Sequence, residues 1–224
     1  MAYDHEEQAQ LEAVKAWWKQ YGTWVTWVAI VVLALVAGWK GWGSYQVKQA
    51  KLASARYEEL QKAIQEKNQA KVAQIVADVQ DNFERTGYAQ MASLLAAKNA
   101  FELNDLKTAK NQLMWVAEHG KSNEFKSLAK IRLAGILLDE KAYDDALREL
   151  SGEFGPKLES SVADRKGDIL LAQNNIDAAR AAYQLALEKS ENNNPARQLI
   201  QLKLDALGGP TSAFTSSTST TVTQ

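Results

Sequence analysis

The 224-residue chain has no cysteine, three prolines and two histidines, and each scarcity closes a class of explanation. Without cysteine there is no disulfide, no thiolate nucleophile and no sulfur-ligated zinc site, although the lack does not identify a compartment. So few prolines suit long helices. Neither sign of charge dominates: 26 Lys and Arg stand against 27 Asp and Glu, interspersed through the soluble part. A general nucleic-acid surface, which needs cations in excess along one face, is therefore not expected. Strand signatures are missing too. No alternating β-branched runs meet at Asn-Gly or Asp-Gly turns, while Ala, Leu, Glu, Lys and Gln dominate. No HExxH, GxSxG, P-loop or GxGxxG pattern occurs.

What is present begins with nineteen consecutive uncharged residues, Tyr21 to Trp39, bracketed by Lys19 and Lys40. At about 1.5 Å per residue the run spans roughly the 30 Å of a bilayer's hydrocarbon core. Six of the seven tryptophans (Trp17, Trp18, Trp24, Trp27, Trp39, Trp42) lie in or beside it. Amphipathic indoles favour the membrane–water boundary. Val25 to Ala37 shows no polar stripe beyond Thr26 and Trp27, unlike a buried core helix. The leader carries Asp4, Glu6, Glu7 and Glu12 against Lys15 and Lys19, and bulky Trp39 and Trp42 follow, unlike a cleaved signal peptide. An uncleaved anchor is expected. Before it, Leu11, Val14, Trp17, Trp18 and Tyr21 stand at helical spacing, which fits either an interfacial helix or an extension of the span.

After the span, helical segments alternate with short polar breaks, which implies antiparallel helical hairpins. Three segments align on a hydrophobic residue, two variable positions and alanine: Leu106 to Ala109, Tyr143 to Ala146, and Ile176 to Ala179. A fainter copy is Ala70 to Ala73. The closing alanines are spaced by 36, 37 and 33 residues, near the 34 of tetratricopeptide repeats. Alanine suits a position where two helices cross closely. Gly167, Ala179, Tyr183 and Ala186 match the small, small, aromatic and small positions of that repeat; Ala97 and Ala134 replace the glycine earlier, and Leu113 and Leu150 the aromatic. Arg197 to Leu207 reads as a capping helix. The expected fold is all-α: one N-terminal transmembrane helix, then a tetratricopeptide-repeat-like, right-handed helical solenoid. The expected organisation is a short N-terminal segment over 1–20, the span over 21–43, repeats over 44–207 and a disordered Ser/Thr-rich tail over 208–224.

Chemistry is sparse. His5 lies in the acidic leader, and His119 precedes Gly120 at a helix end, where a cation is favourable. Asp144 and Asp145 open a helix and complement its dipole. Asp164 and Asp168 share a helix face at i,i+4, without a converging third group for metal or acid–base work. No enzyme activity, cofactor or metal is expected. The inner surface of such repeats is built from first helices, and register points to Lys98, Phe101, Asp164 and Asp168 as candidate contact residues. Ala34 and Gly38 form a small-xxx-small pair on the span that permits close packing by a partner helix.

The leader running into Leu11-Glu12-Ala13-Val14-Lys15-Ala16-Trp17-Trp18-Lys19, together with Tyr88 to Ala97, Leu128 to Leu138 and Asp164 to Leu187, resembles the YfgM family of bacterial inner-membrane proteins. The resemblance covers about residues 5–207. It implies an ancillary subunit of the SecYEG translocon with a cytoplasmic N-terminus and a periplasmic repeat domain. It also implies association with the foldase PpiD and transfer of secreted proteins to periplasmic chaperones. The charges flanking the span point the other way: Lys40, Lys48, Lys51 and Arg56 follow it, against Lys15 and Lys19 before it. Taken literally, the positive-inside rule places the repeats in the cytoplasm, as in an anchored scaffold recruiting regulatory or assembly proteins. The rule is weakest where a long folded domain follows, and the family topology is the expectation.

Overall fold

A computed structural model describes residues 3–208, with side chains from residue 15 onward. The Ser/Thr-rich tail beyond Gly208 and the side chain of His5 lie outside the described residues. Nine α-helices and no strand occupy the described residues: α1 (Tyr3–Gln65), α2 (Gln69–Phe83), α3 (Gly87–Glu102), α4 (Leu106–His119), α5 (Asn123–Asp139), α6 (Tyr143–Glu149), α7 (Glu159–Ala172), α8 (Ile176–Lys189) and α9 (Ala196–Ala206). Two compact units divide between Ser54 and Ala55.

The first unit is the long apolar part of α1. Its most apolar stretch has a mean hydropathy of 1.9 with 6% of it buried. Leu33 and Leu35 are each 68% exposed and Trp39 84%. Leaving so many large apolar side chains in water would be opposed by about 25 cal/mol per Å². A helix this bare and this long suits a bilayer. The Thr26 hydroxyl donates to the Gly22 carbonyl at 2.8 Å, which satisfies that hydroxyl within the helix. The helix runs unbroken from Tyr3 through Tyr21, so the segment before the span extends it rather than forming a separate interfacial helix.

In the second unit, four interhelix turns share one backbone conformation. Lys67, Asn104, Lys141 and Asn174 are left-handed, with φ of 55°, 60°, 63° and 61°. The residue after each donates its N–H five residues back, to Ala63, Ala100, Leu137 and Leu170, at 2.8–3.0 Å. This is the hydrogen-bond closure of a helix C-terminus through a left-handed residue. The same following residue starts the next helix. Asn68, Asp105 and Asn175 cap it by accepting from Lys71, Thr108 and Ala178 N–H. Ala142 cannot, and acidic Asp144 and Asp145 fill the first turn instead.

These turns correct the register of the first repeat. Asn68 is the equivalent of Asp105, Ala142 and Asn175, which places the first copy at Gln69-Ala70-Lys71-Val72 rather than Ala70 to Ala73. Val72 is 6% exposed, whereas Ala73 faces solvent. The true spacings are 37, 37 and 33. One helix is much shorter than its neighbours. Helix α6 has seven residues, and the Ser151 hydroxyl caps its end by donating to the Arg148 carbonyl at 2.7 Å.

Within each pair, one first-helix position meets one second-helix position in the core. The pairs are Leu60 with Val76, Ala97 with Leu113, Ala134 with Leu150, and Gly167 with Tyr183, all buried, with the tyrosine ring against the glycine backbone. As the first residue shrinks from Leu to Ala to Gly, its partner grows from Val to Leu to Tyr. Ala109, Ala146 and Ala179 are fully buried beside them. At the far end, α9 lays Ile200 and Leu204 over Ala163, Ala179, Tyr183 and Ala186. Pro156 opens a short 3-10 turn (Pro156–Leu158) before α7, and Pro195 occupies the N-cap of α9, where a missing N–H costs nothing.

Two stability measurements follow. A Cβ at Gly167 would collide with Cε1 and Cδ1 of the fully buried Tyr183 ring. Gly167→Ala is expected to lower stability by about 1–3 kcal/mol in chemical denaturation. Combining it with Tyr183→Leu, which recreates the Ala–Leu pairing of the middle repeats, is expected to cost less than the sum of the single changes. Additive losses would remove the claim of compensation. Lys141→Gly relieves a left-handed lysine and is expected to raise stability by about 0.5–1 kcal/mol. An unchanged or lower midpoint would show that the turn carries no such strain.

Candidate groove and charged latch of the repeat domain

The first helices α3, α5 and α7, with Leu113 of α4, line a groove of about 410 Å³. Its floor is apolar, with Ala97, Leu113 and Ile136 each at most 4% exposed. Lys98, Phe101, Arg132, Gly135, Asp139 and Arg165 form the walls. The groove thus brings together two of the four sequence candidates, Lys98 and Phe101. Phe101 is 46% exposed, and the Lys98 ammonium lies 3.6 Å from Glu102 on its own helix. Arg132 and Arg165 occupy equivalent positions on successive first helices. Residue Gly135 has no side chain, and the Arg165 guanidinium takes its place: Cζ would lie 3.5 Å from a Cβ there.

The other two candidates meet a different fate. Lys203 of α9 reaches both carboxylates, 2.8 Å from Asp164 Oδ1 and 2.7 Å from Asp168 Oδ1. The Tyr183 hydroxyl donates to the same Asp168 oxygen at 2.8 Å, and Arg165 Nη1 approaches Asp168 Oδ2 at 3.4 Å. Lys203 also sits 5.5 Å from the centre of the Tyr183 ring. Burial pushes the Tyr183 phenol well above its ordinary value, and the bond to Asp168 adds to the effect. The carboxylates join the capping helix to the last repeat and keep only 23% and 19% of their side chains open.

On the apolar helix, Ala34 and Gly38 both lie on open surface, and nothing approaches within 4 Å of the Gly38 Cβ position. His119 ends α4 and stacks on Trp115 with ring centres 5.2 Å apart. Among the described residues no three His, Asp or Glu side chains are grouped as a metal site would require.

Sequence reasoning missed Arg132, Arg165 and Lys203. Carrying the 33-residue offset from Ala146 and Ala179 back to the first helices would have put the two arginines at one position. For Lys203 the signal was weaker: two aspartates on one helix face, and a cation on the helix due to cover them.

Comparison with known proteins bears on the whole of this arrangement. Residues 15–209 match the family described as a tetratricopeptide repeat-like domain. The chain is 31% identical over 208 residues to the ancillary SecYEG translocon subunit of Neisseria gonorrhoeae (strain ATCC 700825 / FA 1090), covering 92% of this chain and 100% of that protein. It is 30% identical to the protein of that name from Haemophilus influenzae, with 92% and 100% covered. For Escherichia coli (strain K12) the figures are 27% identity, 92% and 98%. The chain belongs to the YfgM family. The matched residues, 15–209, span the apolar helix, the four turns and the capping helix.

The latch makes a pH prediction with a definite sign. Tyr183 has a folded pKa raised above its ordinary 10.0, so its share of stability is complete below pH 10 and is lost as pH rises above it. Thermal melts of the wild type are therefore expected to fall between pH 10 and 11 more steeply than those of Tyr183→Phe. Parallel slopes would mean that the phenol ionises as freely in the folded chain as in the unfolded one.

Proposed function

We propose that this chain is a membrane-anchored helical-repeat adaptor, ancillary to the SecYEG translocon, that acts by binding proteins rather than by catalysis. The observation carrying the proposal is that one chain joins a bare apolar helix to a repeat domain with an uncovered groove on its first helices. Relatives similar over nearly their full length carry the translocon-subunit name. Stacked helical hairpins suit the holding of a partner segment. The carboxylate pair most suggestive of chemistry is engaged by Lys203 and Tyr183, which supports a binding role.

In this reading the N-terminus is cytoplasmic, α1 crosses the inner membrane once, and the repeat domain, residues 44–207, projects into the periplasm. There it associates with PpiD and helps pass secreted proteins to periplasmic chaperones. Lys98 and Phe101 contact the partner in the groove, and Asp164 and Asp168 extend that surface towards α9. Ala34 and Gly38 give a partner helix a close lateral approach in the bilayer. A second reading keeps the fold and reverses the topology, as a cytoplasm-facing scaffold. The excess of Lys and Arg after the span favours it.

One labelling experiment separates the two. Ser122 caps α5, so the cysteine is best placed at the exposed neighbour, as Lys121→Cys. The chain has no other cysteine. Labelling of spheroplasts by a membrane-impermeant maleimide, with SecYEG recovered alongside the chain from detergent-solubilised membranes, is the expected result. Protection that disappears on lysis would replace the periplasmic adaptor with the cytoplasmic scaffold. Failure to recover SecYEG would remove the translocon role.

A further inference from the structure

The groove on α3, α5 and α7 has a charge that the chain as a whole does not. Its lining holds three cations (Lys98, Arg132 and Arg165) and one anion (Asp139), in a protein of formal net charge −1. The two arginines are also poorly satisfied. Arg132 is exposed and forms no ion pair among the described residues. Arg165 has one long contact, to Asp168 Oδ2, while the other oxygen of that carboxylate takes Lys203 and Tyr183, and its buried Nε donates to nothing. Guanidinium groups pair with carboxylates through two parallel N–H bonds, which a single 3.4 Å contact does not supply. Between these charges lies apolar surface, half-exposed Phe101 above buried Ile136 and Leu113.

We infer that this groove holds an extended acidic segment of a partner protein, with carboxylates on Arg132 and Arg165 and an apolar side chain against Phe101. Two guanidinium groups at one repeat position form a row along which successive carboxylates of one segment lie. The inference rests on the adaptor reading and specifies the chemistry of what the adaptor grips.

The test uses the full chain in detergent micelles and three fluorescein-labelled peptides of one length. The first alternates Glu and Asp with Phe and Leu, the second replaces its acids by Gln and Asn, and the third by Lys. Fluorescence anisotropy is expected to give binding of the acidic peptide, at least tenfold weaker binding of the neutral one and none of the basic one. Affinity should fall as salt is raised. Arg132→Glu and Phe101→Ala alter exposed side chains, so helicity and melting should hold while acidic-peptide affinity drops at least tenfold. Equal binding of acidic and neutral peptides, binding of none, or an unchanged affinity in Arg132→Glu would overturn the inference. SecYEG recovery is scored in parallel. Recovery without acidic preference overturns the groove's assignment alone. Acidic-peptide binding without recovery overturns the translocon role and leaves the groove's assignment standing.

Discussion

The repeat domain depends on how closely the two helices of each hairpin approach. Interaxial distance follows the side chains at the contact, and a well-packed core accepts little change in their summed volume. From the second hairpin onward this chain holds that sum roughly constant by exchanging size across the interface, from Ala97–Leu113 and Ala134–Leu150 to Gly167–Tyr183; Leu60–Val76 is larger than the Ala–Leu pairs by two side-chain carbons. The four matching left-handed turns then have a common geometry to close. Alanine at 109, 146 and 179 needs no compensation, because it is already small enough for any pair.

The last pair shows what the exchange makes possible. Leucine at 113 and 150 ends in methyl groups, but tyrosine at 183 carries its hydroxyl past the space left by Gly167 to Asp168. That polar group would be costly if buried alone. Here it joins a network completed by Lys203, a residue of the capping helix. Arg180 and Arg197 add side-chain bonds, to the Leu207 and Leu187 carbonyls, that tie the same helix down. The most tightly packed hairpin is therefore also the one to which the end cap is attached. Removing a stabilising partner from one side disturbs packing, hydrogen bonding and the cap together.

Much of this was legible in the sequence, for identifiable reasons. The polar breaks became turns, with Asn104 and Asn174 in the left-handed position and Asn68, Asp105 and Asn175 at the caps, although Lys67 and Lys141 take the same left-handed backbone and Ala142 caps nothing. The crossing alanines and the Gly167–Tyr183 pair were visible because small residues are informative only where backbones approach. The first repeat was off by one residue because several alanines near 70–77 fit the pattern equally, and only the turn at Lys67 and Asn68 fixes the register. The seven-residue α6 was unreadable from periodicity, which cannot see where a serine hydroxyl takes a carbonyl and ends a helix. The pairing of Asp164 and Asp168 with Lys203 joins residues more than thirty apart, beyond the reach of any local pattern.

The distribution of charge follows from the same architecture. Short helices multiply N-termini, and each favours an acidic group in its first turn or at its cap. Asp105, Glu124, Asp144, Asp145, Glu159 and Asp177 all occupy such places. A hydrogen bond from Thr108 holds Asp105 below the ordinary carboxylate range, and one from Ser122 does the same for Glu124. Asp164 and Asp168 are drawn to the cap. A chain with nearly equal numbers of acids and bases thereby commits many of its acids to turns and to one end. The middles of the first helices, which form the groove, are left with arginine and lysine. Their positive character is thus compatible with a near-neutral chain, because helix starts and the terminal latch have taken up the opposing charge.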